Sequence, residues 1–225
     1  MTSELALMTS ELATRLIDDI GALLLFTMIL VLGAGQITKA IYAMAVQSLL
    51  IGVGGIILGV ATGNVELWII AGITVIVKAV ALPWLLIWVM RKIDVRREVE
   101  PVIPIVATLG IAGGIVVLSF SLGTSLGPVR QAITGDALPV GISLTLLGVL
   151  MMVSRRKALT QMVGLFACEN GIFFTAMAVS EGMPLIIEIG VILDVVLGAL
   201  VMGILVLRVR SAVAVDVADL EELKG

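Results

Sequence analysis

The sequence predicts an all-α, polytopic integral membrane protein with about seven transmembrane helices, and three observations predict it. Of 225 residues, 60% are hydrophobic and 14% charged, whereas soluble domains are about 45–50% apolar and about 25% charged. Apolar residues gather into seven runs, each near the 17–25 residues a helix needs to cross a bilayer. Eleven of the 14 Lys and Arg residues fall on one side when the connecting loops are numbered alternately, and two fall on the other, the asymmetry expected of cytoplasmic and external loops.

The runs lie at about 17–35, 41–61, 67–89, 102–122, 137–153, 159–179 and 185–207. Gln36 to Lys39 separate the first two, and Gly63, Asn64 and Glu66 the next. Arg91 to Pro101 form a charged loop, and Gly123 to Asp136 a longer polar one containing Pro128. Arg155 to Lys157 and Glu181 to Pro184 mark the last two turns. Beyond Arg210 the tail is short and acidic, with Asp216, Asp219, Glu221 and Glu222.

The richer side holds Lys39, the charged 91–97 loop, Arg155 to Lys157, Arg208, Arg210 and Lys224; the poorer side holds Arg15 and Arg130. The expected orientation is an external N-terminus and a cytoplasmic C-terminus. The N-terminal stretch carries Glu4, Glu11, Asp18 and Asp19 against Arg15 alone. It lacks the positive start of a signal peptide, so the first helix is expected to be retained. Trp68, Trp84, Trp88 and Tyr42 lie near segment ends and suit an interfacial belt.

Composition also excludes. There is no His and a single Cys, Cys168, so imidazole ligation, intramolecular disulfides and multi-thiolate metal sites are not expected. The chain is expected to carry no cofactor of its own. It shows no nucleic-acid footprint; its basic loops suit anionic lipid. The 24 glycines fit close helix packing in lipid, with Gly55, Gly59 and Gly63, and the pair Gly110 and Gly114, as the expected contact positions.

Four ionisable residues interrupt the apolar runs: Lys78, Glu169, Glu188 and Asp194. A charge at the bilayer centre costs roughly 2.5–3.5 kcal/mol even on lenient scales, and such residues mark ion or proton paths. Glu169, followed by Asn170, lies halfway along the sixth run, and Asp194 lies near mid-depth in the seventh. Both are candidate proton carriers, with static hydrogen-bonding carboxyls as the alternative. Glu188 is six residues before Asp194, roughly 600° of helix turn, so the two point to different sides; it is a candidate outer-access group. Lys78 sits mid-way along the third run, too deep to snorkel with ease. It should pair with a carboxylate of this chain, Glu169 first and Asp194 second, or of a neighbouring subunit, as a relay or as a static pair. Pro83, five residues on, removes a backbone donor and permits a kink.

From Gly164-Leu165 with Glu169-Asn170, and Asp194 with Leu197-Gly198-Ala199-Leu200, residues 137–209 resemble the K subunit of respiratory complex I and the C subunit of multisubunit cation/proton antiporters. The second central Glu of that pattern is Asp194 here, one methylene shorter. With KAVALPWLL and PLIIEIGVILDVVLGALVMGI, the whole layout resembles the E membrane component of hydrogenase-4 and formate-hydrogenlyase type complexes. The resemblance divides the chain into a four-helix part (1–135), a three-helix part (136–210) and a cytoplasmic tail (211–225). It implies a non-catalytic membrane subunit in a prokaryotic cell membrane, contributing to proton or Na⁺ translocation with Glu169 and Asp194 at the two central acid positions; Lys78 and Glu188 join them from the reading of the buried charges. It also implies antiporter-like and hydrogenase-type partner subunits, which would hold the iron–sulfur and nickel–iron centres. An antiporter subunit, or a scaffold that moves no ions, is the alternative.

Overall fold

The computed structural model describes residues 2–92, 101–125 and 136–179, together with Gly190 and Gly198. Among these residues the chain is all-helical, without strands. The helices are α1 (Thr2–Gly33), α2 (Ile37–Thr62), α3 (Val65–Thr74), α4 (Leu82–Lys92), α5 (Ile105–Ser125), α6 (Ala137–Ser154) and α7 (Ala158–Val179). A π-helical stretch, Val75–Ala81, joins α3 to α4.

Among the described residues, five spans are long and apolar enough to cross a membrane: Glu11–Gly33, Ile37–Thr62, Trp68–Arg91, Ile105–Gly123 and Ala137–Ser154. The 22-residue α7 has the length as well, about 33 Å at 1.5 Å per residue. The expected seventh segment, with Glu188 and Asp194, lies outside the described residues apart from Gly190 and Gly198.

α1 is longer than the apolar run predicts. The helix starts at Thr2, because the residues before position 17 are mostly good helix formers such as Leu, Ala, Met and Glu. Hydropathy reports the membrane part of a helix and not its polar extension.

Helix ends follow local chemistry. Gly63 ends α2 in the left-handed region (φ 68°) and gives its N–H to Gly59 O. Glycine adopts this conformation without a Cβ penalty. Gly59 and Gly63 therefore build a helix terminus, whereas Gly55 meets α3: a Cβ there would lie 3.1 Å from Ala71 Cβ. Gly110 and Gly114 have open space where a Cβ would point, so their spacing serves no contact among the described residues.

α1, α2, α6 and α7 form the centre, with α3–α4 against α2 and α5 against α6. Leu24, Met28, Met44, Ile51, Leu144, Leu147 and Phe174 are fully enclosed there. The most extensive contact joins α6 to α7, and four glycines set it. A Cβ at Gly148 would fall 2.6 Å from Cys168 Cα, and one at Gly141 2.9 Å from Thr175 Cα. From α7, a Cβ at Gly171 would fall 2.9 Å from Gly141 O, and one at Gly164 3.0 Å from Gly148 O. Small residues let the two backbones touch, as helices packing in lipid require.

Alternation of the spans is visible in their ends. Arg155 Nη2 donates to Leu32 O at 2.6 Å, Val102 N–H to Ser154 O at 3.0 Å, and Thr38 Oγ1 to Met90 Sδ at 3.4 Å. Lys39, Arg91 and Arg155 to Lys157 thus share one end of the bundle. At the opposite end Asp136 N–H donates to Asp18 Oδ1 at 3.3 Å, and a Cβ at Gly123 would meet Pro139 at 2.9 Å. Tyr42, Trp68 and Trp84 are exposed on the outer surface, while Trp88 packs against the core.

Candidate functional site

Lys78 and Glu169 meet. The ammonium lies 3.0 Å from Glu169 Oε1, and each residue is only 5% exposed. Both are within two residues of the midpoint of their spans, about 3 Å of depth. Two charges far from water at similar depth each lower the other's desolvation cost, and this is the physical ground on which the sequence pointed to the pairing.

Phe173 completes the surroundings of the cation. Lys78 Nζ lies 5.9 Å from the Phe173 ring centroid, inside the range in which a ring face attracts a cation. Phe173 follows Glu169 by four residues, so α7 presents carboxylate and ring on the same side, one turn apart. A Cβ at Gly190 would lie 4.0 Å from Phe173 Cδ2, which sets Gly190 beside this ring.

The helix carrying Lys78 is irregular at this point. Within Val75–Ala81 the bonds run from residue i to i+5, and the last joins Leu82 N–H to Val77 O. The discontinuity anticipated from Pro83 takes this form. π segments of this kind are rare and are found frequently at functional sites.

A polar layer continues from Glu169 into the bundle. Asn170 Nδ2 donates to Ser48 Oγ at 3.2 Å, and Ser48 Oγ donates to Met44 O at 3.2 Å. Beside it Gln47 Nε2 reaches Leu24 O at 3.3 Å and Met28 Sδ at 3.6 Å; Thr27 Oγ1 donates to the same Leu24 O at 2.9 Å. All four polar residues are buried. The sequence reading included Asn170 and passed over Thr27, Gln47, Ser48 and Phe173. Two adjacent polar residues in the middle of an apolar run, and an aromatic four residues after a buried acid, are the signals that could have found them. Glu188 and Asp194 lie outside the described residues. No group of three His, Cys, Asp or Glu residues able to hold a metal occurs among the described residues.

Chemically, this is a compensated ion pair with a donor, an acceptor and an aromatic face. A proton can pass from Lys78 Nζ to Glu169 Oε1 to leave both neutral, so the pair can change charge state without changing total charge.

Comparison with known proteins gives two relationships. The uncharacterized protein Rv0085 of Mycobacterium tuberculosis is 32% identical over 158 residues, covering 69% of this chain and 71% of that protein. The chain belongs to the Rv0085 family. A second, shorter likeness is to hydrogenase-4 component E of Escherichia coli K12 and of Shigella flexneri. Each is 34% identical to this chain over 90 residues, 40% of the chain and 42% of the relative. The chain thus spans less than half the length of those relatives. No family model matches, and no solved structure matches.

Proposed function

We propose that this chain is a membrane subunit of a complex-I-related, hydrogenase-type complex, in which buried charges contribute to proton or Na⁺ translocation coupled to redox chemistry elsewhere. The observation that carries the reading is the Lys78–Glu169 pair at mid-depth in an apolar bundle, on a chain 34% identical over 90 residues to a hydrogenase-4 component. Lys78 and Glu169 exchange the proton; Glu188 and Asp194 belong to the same path, as outer access and second carrier. Partner subunits hold the iron–sulfur and nickel–iron centres and the antiporter-like channels. The basic end of the bundle faces the cytoplasm of a prokaryotic cell.

The test uses the intact complex in native membranes. Glu169→Gln and Asp194→Asn keep size and hydrogen bonding but do not release a proton. Ion pumping should fall far more than electron transfer, with subunit content unchanged. A second reading, a scaffold that moves no ions, is favoured by the close 3.0 Å compensation of the pair. Unchanged pumping stoichiometry in the double variant would select the scaffold.

A further inference from the structure

We propose that Pro83 is a positioning residue that aims the Lys78 ammonium at Glu169 by holding Val75–Ala81 in the π form. The π bonding stops where Pro83 would have to donate next. Its last bond is Leu82 N–H to Val77 O, and the next donor in the i to i+5 series is position 83, which has no N–H. In a regular α-helix the Pro83 ring would press on the carbonyl of Ala79, four residues before it. The wider π turn removes that clash.

The register of the segment is pinned on its N-terminal side. A Cβ at Gly55 would lie 3.1 Å from Ala71 Cβ, and Gly52 has Val75 directly against it, so α2 holds α3 and the first π residue in place. An N–H at position 83 would give Ala79 O its usual helical donor, and the stretch could tighten to α. With α3 held, losing the additional residue per turn rotates α4 by roughly 100°, the angle of one residue, and Lys78, midway in the segment, by roughly half of that, about 2 Å at Cα on a cylinder of about 2.3 Å radius. The ammonium lies farther from the helix axis than Cα and swings through a larger arc, away from Glu169 Oε1, now 3.0 Å from it, and off the Phe173 face.

The pairing is observed, and only its bearing on ion movement rests on the function proposed above. The experiment is therefore a double-mutant cycle on unfolding of the full chain in lipid nanodiscs. Lys78→Met, Glu169→Gln and the double variant are measured with Pro83 and again with Pro83→Ala. With Pro83, the two residues should be coupled by a factor on the order of tenfold or more in the unfolding equilibrium constant. With Pro83→Ala the coupling should vanish, and Lys78→Met should cost the same whether or not Glu169 is present. Pro83→Gly, which also restores the N–H, should behave alike. A purely structural proline would change overall stability and leave the coupling intact, and that result in both backgrounds overturns the proposal. Normal coupling energetics with no effect on pumping in the intact complex would instead overturn the functional reading.

Discussion

Removing one partner of the Lys78–Glu169 pair should destabilise the protein strongly. At 3.0 Å and an effective dielectric constant of about 20, unit charges attract by about 5.5 kcal/mol, which offsets the cost of bringing both out of water. Breaking a buried pair by removing one partner costs roughly 3–5 kcal/mol, because the charge left behind is buried without compensation, and Lys78→Met and Glu169→Gln should each lose an amount in that range. The double variant should lose less than either single one. Reversible denaturation in mixed micelles measures all three. Losses below about 1 kcal/mol, or a double variant equal to the sum of the singles, would refute a compensated buried pair.

Two further outcomes test the bundle around it. Gly148→Ala and Gly171→Ala should each cost about 1–3 kcal/mol, because the added methyl has to push the α6 and α7 backbones apart, whereas Gly110→Ala, with open space, should stay within about 0.5 kcal/mol; thermal melts of the three separate the cases. Reporter fusions after Gly123 and after Lys157 should register on opposite sides, external and cytoplasmic, and the same side for both would break the alternating order of spans.

What the sequence disclosed reflects how each feature is encoded. Hydropathy varies along one dimension, so the second to sixth runs could be read close to their observed limits, and Lys78 and Glu169 could be matched because buried opposite charges at one depth need each other. Glycine spacing was a poorer guide. Gly110 and Gly114 carry the same four-residue pattern that marks helix contacts, yet meet nothing among the described residues, while Gly141, Gly148, Gly164 and Gly171 form the seam at seven-residue spacing. The chain alone does not say which face of a helix another helix will cover. Likewise Pro83 announced a break without its form: a kink and a π stretch both answer a missing N–H. Ser48 was overlooked because a lone hydroxyl can always return its proton to its own helix, as it does to Met44 O.

The order in which the chain is made gives the ion pair a history. Lys78 is synthesised 91 residues before Glu169, an interval of about 5–18 s at typical elongation rates of about 5–20 residues per second. During it, the third span holds an ammonium whose counter-charge does not yet exist. Asn170 meets the reverse situation, for Ser48 is already waiting. We expect the Lys78 span to leave the insertion machinery late and together with α7, so that a nascent chain arrested before residue 158 keeps that span cross-linkable to the channel, while one extended past α7 releases it. Equal release at both lengths would mean that the lysine is sheltered by something other than Glu169 while it waits.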